Sequence, residues 1–223
     1  MTKIGIITAM KEEAEHIIKK YQLKETKKYR HITVYANGNI ILVLAGIWKI
    51  QASLWTAELI LMNKVDIIIN IGIAGNLRGN EVSIGDVFLI NQVSQHDMIL
   101  PFTWEHLDYI KKAITLTSEL NLDERDFSFW LHKTWHSTTG DVFISDQKKA
   151  KELRDAWWAD VAEMEAFAVA SVARELWMLE NTYIIKAISD GADTEALRDS
   201  EDNLNFAMKN SLQVLEKIIE KYS

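Results

Sequence analysis

Three carboxylates stand where an ordinary apolar core would not place them. Glu13 is the second of a Glu12-Glu13 pair just past an apolar run. Glu165 lies in the stretch 161–173, where apolar residues dominate, and Asp190 closes the apolar segment 184–189. A carboxylate in such surroundings is costly unless paired or ligand-bound, and burial tunes its proton affinity. Carboxyl groups tuned apart are the working parts of acid–base chemistry: a proton donor, a base and a fixed negative charge. Each also has a plainer reading. Glu12 and Glu13 suit the positive end of a helix, and only one of them can face a crevice while the other faces water. Asp190 suits the turn after a strand, although Asp193 is the better turn residue and Ser189 is placed to orient Asp190. Glu165 divides evenly between structural and functional readings, with Glu163 pointing elsewhere as an N-terminal helix charge.

Other candidates are weaker. His96-Asp97 lacks a third ligand at suitable spacing, and His132 and His136, four apart, lack the intervening glutamate of H-E-x-x-H, so no metal is expected. No Ser/His/Asp set has an elbow context. Gly72-Ile73-Ala74-Gly75 lacks the spacing of a dinucleotide or Walker loop; it reads as a small-residue turn that a flat ligand can approach. Among the eight tryptophans, Trp130, Trp135, Trp157 and Trp158 read as packing residues, while Trp48 opens a helix near the crevice edge and is placed to cover a planar ligand.

The elements that must position these groups alternate. Residues 3–9, 29–36, 39–45, 65–71, 86–94 and 182–189 read as strands, and 11–21, 49–63, 105–120, 146–156, 163–177 and about 201–221 as helices. Asn37-Gly38 marks a hairpin. Continuous apolar strands between helices predict an α/β fold with a central mixed sheet covered on both faces, and ligands in such sheets bind outside the carboxyl ends of the strands. Ala9-Met10, Gly72–Gly75 and Ser189-Asp190 all fall there.

The chain has 223 residues with one proline and no low-complexity run, and reads as one domain, 1–223. A net charge of −7 argues against a nucleic-acid surface, and Lys19, Lys20, Lys24, Lys27 and Lys28 read as a solvated face. The absence of cysteine excludes disulfides and thiolate metal sites. The N-terminal apolar run is too short for a signal peptide and no stretch reaches a membrane span, so a cytoplasmic soluble protein is expected.

In order along the chain, residues 4–10 with Glu12-Glu13, Ala45-Gly46-Ile47 with Lys49, and residues 66–75 resemble the purine nucleoside phosphorylase/nucleosidase superfamily. So do residues 84–87, His96-Asp97, 140–144, 163–166 and 187–190. The pattern is most similar to the superfamily's methylthioadenosine/adenosylhomocysteine nucleosidase branch. The resemblance implies a three-layer, partly barrel-like, nucleoside phosphorylase-like fold. It implies hydrolysis of a purine N-glycosidic bond without cofactor or metal, by a homodimer acting on a small-molecule nucleoside. Asp190 would protonate purine N7 with Ser189 orienting it, and Glu13 would activate water. Glu165 would bind the ribose hydroxyls over Met164. Phe143 would stack on the base, the Ile144 backbone would read its edge, and Ala74 and Gly75 would line the floor. Ala9, Ile47, Ile73 and Lys186 complete the implied substrate contacts. The chain departs from the branch pattern at Trp48 (glycine there), Ile73 (serine) and Lys186 (arginine), and in the segment 98–104; Trp48 and Ile73 would reshape the sugar site. The helix 49–63 and residues 102–104 would supply the dimer interface. A phosphorylase, a nucleosidase for another purine riboside and a non-catalytic nucleoside-binding relative are the alternatives.

Overall fold

The structure, a computed structural model, describes residues 1–98 and 112–222. Ile4–Thr8 (β1) is buried at every position, and Lys11–Tyr21 (α1) follows it directly. Lys24–Lys28 (β2), Thr33–Asn37 (β3) and Ile40–Leu44 (β4) make an antiparallel ribbon, and Lys49–Leu61 (α2) leads into Ile67–Asn76 (β5). Val87–Gln95 (β6), Ile114–Thr115 (β7) and Leu131–Thr139 (β8) come next, then Gln147–Trp157 (α3), Val161–Glu163 (β9) and Ala166–Glu175 (α4). Thr182–Asp190 (β10) and the long helix Ala196–Lys221 (α5) close the chain.

The strands form one mixed sheet in the order β10-β6-β8-β9-β5-β1-β4-β3-β2, and β10 pairs with β5 as well. Five strands therefore close on themselves, and β1, β4, β3 and β2 extend from the ring as an open wing. One apolar cluster lies between the sheet and α1 and α5, with Ile6, Ile69, Ile185, Met208 and Leu215 fully buried. A second joins β1, β4 and β5 to α2 and α4 through Leu59, Ile68 and Val169. Sheet faces covered by helices leave the strand ends as the place for a ligand.

β5 forks. Its residues 67–70 pair with β1 and residues 75–76 with β9 on the same edge, while β10 runs along the other. Ile71 to Ala74 thus lack a strand neighbour on one side, and the backbone there is free to serve something else. Gly72–Gly75, expected as a turn, is continuous strand.

The remaining differences have physical causes. β2 is missed because its five residues are exposed and largely charged, as suits an edge strand that must not recruit another. β8 is missed because its Ser137, Thr138 and Thr139 are polar yet buried; His132 and His136 sit on this strand, not on a helix. The helix expected over 163–177 starts at Ala166, since Val161–Glu163 is drawn into the sheet by β5 and β8. Of the helix expected over 105–120, residues 114–115 are strand instead, paired with β6, and 105–111 lie outside the described residues. The hairpin turns one residue later than expected, at Gly38-Asn39, with Gly38 at φ 57° and Asn37 paired to Ile40. Trp130 and Trp158 are exposed, against the packing reading, whereas Trp135 and Trp157 pack against apolar clusters. Among the described residues no helix is long and apolar enough to cross a membrane.

Candidate active site

A cavity of about 260 Å³ opens at the strand ends, near the lower bound of roughly 300 Å³ for small-ligand pockets. Ala9, Met10 and Glu13 line it from the start of α1. Ile73, Ala74 and Gly75 come from the fork of β5, Glu163 to Glu165 from the β9–α4 junction, and Ser189 and Asp190 from the end of β10. Ile47 and Val142 to Ile144 form the mouth, and the first turns of α5 complete the wall with Leu197, Ser200, Glu201 and Leu204. Every site residue expected from the sequence lines this one cavity except Lys186. The α5 wall was not expected; its apolar spacing carried no sign that a helix N-terminal end turns toward the site.

Glu13 is fixed by four donors. Its Oε2 accepts from Thr8 Oγ1 (2.7 Å), Ala9 N (3.0 Å) and Met10 N (2.9 Å), and its Oε1 accepts from Ile73 N (3.1 Å). The Met10 bond is the glutamate half of a capping box, so the helix-end reading and the functional reading describe the same carboxylate. The Ile73 bond uses an amide that the fork leaves unpaired. A carboxylate has about four lone-pair sites; Oε2 is filled and Oε1 keeps one toward the cavity. Glu12 is exposed. Thr8 and Asn70 are buried behind the cavity, Thr8 bound to Glu13 and Asn70 to Ile7 O (3.3 Å).

Asp190 follows a bulge in the β10–β5 ladder that sets it opposite Gly75, and bulges re-aim side chains in this way. Ser189 Oγ donates to Asp190 Oδ2 (2.7 Å) and Ala192 N to Oδ1 (2.9 Å). Burial raises the Asp190 pKa above the ordinary carboxylate value; the two hydrogen bonds oppose this and the charges of Asp193 and Asp199 add to it. Asp193 is a turn residue, accepting from Glu195 N (2.9 Å).

Glu163 and Glu165 divide one cation between them. Glu163 is buried rather than pointing away: it caps α4, accepting from Glu165 N (2.9 Å) and Ala166 N (2.7 Å), and it takes hydroxyls from Ser137 (3.1 Å) and Thr139. Lys186, 1% exposed, lies behind the cavity wall, its Nζ 3.0 Å from Glu163 and 3.4 Å from Glu165. Burial favours the neutral form of Glu163, yet Lys186 and these donors hold its pKa below the usual value. Glu165 has fewer partners, and burial pushes it up to about 7; Lys186 opposes, and the neighbouring charges of Glu163 and Glu13 reinforce the rise. Burial disfavours the Lys186 ammonium, but the three glutamates outweigh it and raise its pKa.

Trp48 does not line the cavity. It is 60% exposed at the rim, with φ 109° and ψ 146°, close to a region essentially reserved for glycine. Ile73, by contrast, lines the cavity together with Glu13 and packs against the apolar cluster under α1 and α5. Among the described residues no His, Cys, Asp or Glu group fits a metal ion.

A ring of strands with carboxylates gathered at the strand ends defines a nucleoside phosphorylase-like α/β protein. The model of the phosphorylase superfamily matches residues 3–220, and the chain belongs to that superfamily. It is 29% identical over 235 residues to a 5′-methylthioadenosine/S-adenosylhomocysteine nucleosidase of Bacillus subtilis, covering 98% of this chain and 99% of that one. An aminodeoxyfutalosine nucleosidase of Helicobacter pylori is 26% identical over 232 residues, covering 99% of this chain and 100% of the relative. The crystal structure of a 5′-methylthioadenosine/S-adenosylhomocysteine nucleosidase from Neisseria meningitidis, in complex with methylthio-immucillin-A, superposes with a TM-score of 0.86. It has 26% identity and covers 99% of this chain and 100% of that one.

Proposed function

We propose that this protein hydrolyses the N-glycosidic bond of a purine nucleoside, 5′-methylthioadenosine or S-adenosylhomocysteine, releasing adenine and the ribose moiety. The observation that carries this reading is the charge of the cavity. Five carboxylates line it (Glu13, Glu163, Glu165, Asp190 and Glu201), with no lysine or arginine among the described lining residues. A developing sugar cation is stabilised in such a field, whereas a phosphate dianion is repelled. That favours water over phosphate as the nucleophile, and Ile73, where the nucleosidase pattern has serine, offers no hydroxyl to an oxyanion there.

The geometry supports the following chemistry. Asp190, its affinity for a proton raised by burial, protonates N7 so that the purine departs neutral. Phe143 stacks on the base while the Ile144 backbone reads its edge, and Ala74 and Gly75 leave room for the ring. Glu165 binds the ribose hydroxyls over Met164 and opposes the oxocarbenium charge. Glu13 Oε1 takes a proton from the attacking water on the opposite face. Lys186 acts as the counter-ion of Glu163 and Glu165 rather than as a substrate contact.

Ile50 and Leu54 on α2, with Trp48 beside them, are exposed apolar groups next to the mouth, and we read this face as the interface of a homodimer. Release of adenine from methylthioadenosine in the cytoplasm would place the reaction in methionine salvage, carried out by a single domain.

The test is base release from methylthioadenosine, adenosylhomocysteine, adenosine, inosine and aminodeoxyfutalosine, each with and without phosphate. Phosphate-independent release with a free sugar product is expected. Release only with phosphate would overturn the role of Glu13. Asp190→Asn should lower kcat by about 10²–10⁴-fold and leave adenine affinity within a few-fold; undiminished turnover would exclude Asp190 as the acid.

A further inference from the structure

Three motifs by which the chain resembles the superfamily have no part in the chemistry above: Lys49, His96-Asp97 and Gly140-Asp141. The fold brings them together. Lys49 is the first residue of α2, Asp97 follows β6, and Asp141 follows β8. Lys49 Nζ lies 2.5 Å from Asp97 Oδ1 and 3.9 Å from Asp141 Oδ2. Lys49 N donates to Asp141 Oδ1 (2.9 Å), and Asp141 N donates to Asp97 Oδ2 (2.8 Å). A carboxylate from a distant loop thus sits on the N-terminal amide of α2, where a negative charge is favoured. The anchor beneath is backbone. His96 N donates to Thr139 O (3.0 Å) and Gly140 N to Glu163 O (3.1 Å). The His96 ring occupies the space that a Cβ on Gly140 would need.

Both mouth walls hang from this cluster. Ile47 lies two residues before Lys49, and Val142, Phe143 and Ile144 directly follow Asp141. Between Ile47 and Lys49 stands Trp48 in its glycine-like backbone conformation. Such strain persists only where surrounding contacts over-determine it, and the Lys49 bonds are those contacts. Asp97 is kept ionised: burial favours its neutral form, but the Lys49 ammonium and the Asp141 amide hold its pKa below the usual value.

We propose that Lys49, Asp97 and Asp141 form a clamp that holds the strained turn 46–49 and the loop 140–144 together as the two walls of the nucleoside cavity. All three are positioning residues; none reaches the reacting atoms. The inference deepens the proposed nucleosidase reading, but its first readout does not depend on turnover.

The test compares the full-length wild type with Lys49→Met and Lys49→Arg. Hydrogen–deuterium exchange should quicken in Lys49→Met within 46–52 and 140–146 and stay unchanged in β1 and β10. KM for the cleaved nucleoside should rise about tenfold while kcat stays within about twofold, and Lys49→Arg should restore both readouts. Unchanged exchange in the two segments, or a fall in kcat at constant KM, overturns the clamp. If the wild type cleaves no nucleoside, the nucleosidase reading fails while exchange still judges the clamp. If Lys49→Met does not fold, Asp141→Asn is held to the same exchange and KM criteria.

Discussion

Lys186 Nζ is 3.0 Å from Glu163 and 3.4 Å from Glu165, so a single buried cation serves a capping carboxylate first and a cavity-facing one second. Burial raises the Glu165 pKa to about 7, and Lys186, shared with Glu163, opposes that rise only in part. If Glu165 must be ionised to oppose the sugar cation, kcat/KM should rise with pH through an inflection near 7. The charges facing Glu165 are Lys186 on β10, Glu163 on β9 and Glu13 on α1. Removing the only cation among them in Lys186→Met should move the inflection up by about one unit or more. The double variant Lys186→Met/Glu163→Gln removes the ion pair as a pair and guards against simple misfolding. A pH profile that does not move in either variant would detach Lys186 from Glu165.

Glu165 also makes stability depend on pH, with a sign that can be worked out. Its folded pKa lies above the unfolded value near 4.5. Between about pH 4.5 and 7 the folded protein therefore binds the extra proton, and stability falls as pH rises through that window and levels above it. Glu165→Gln removes this dependence. The variant should gain on the order of 1–3 kcal/mol over the wild type at pH 8 relative to pH 5, while losing activity. Denaturant midpoints at the two pH values check this; an equal difference at both would mean that Glu165 does not titrate in the window.

Gly72 and Glu13 set a third expectation. A Cβ at position 72 would lie 2.7 Å from Glu13 Oε1, closer than packing allows. Since Ile73 N holds that oxygen, Gly72→Ala must displace the carboxylate or bend the fork. A loss of about 1–3 kcal/mol in stability should accompany a loss in kcat larger than unfolding alone explains. Wild-type kcat in a folded Gly72→Ala would show that the Oε1 position is not critical.

Much of the site was legible because its residues break local rules. Asp190 after a run of apolar residues and Glu165 amid alanines each carried a functional reading beside a local one, and both prove buried in the cavity wall. The apolar strands β1, β5 and β10 were equally plain. Lys186 was misplaced as a substrate contact because a lysine within an apolar strand announces burial but not which side of the wall it occupies. β8 and β9 escaped notice because buried polar residues, such as Thr139 donating to Glu163, follow a hydrogen-bond network that periodicity does not encode. The Lys49–Asp97–Asp141 contacts join residues up to 92 positions apart, the α5 wall meets cavity residues more distant still, and nothing local to any of them carries those distances.

The fork in β5 has a bearing on how activity is gained. Ile73 N meets Glu13 across the pairing of segments that begin at residues 4 and 67, and the cavity is complete once those beginning at 161 and 182 have found their register on the same strand. Pairings so distant in sequence are slow to close. On refolding, helical signal should therefore return before catalytic competence, and enzymatic turnover should serve as a clock for the last long-range strand to dock.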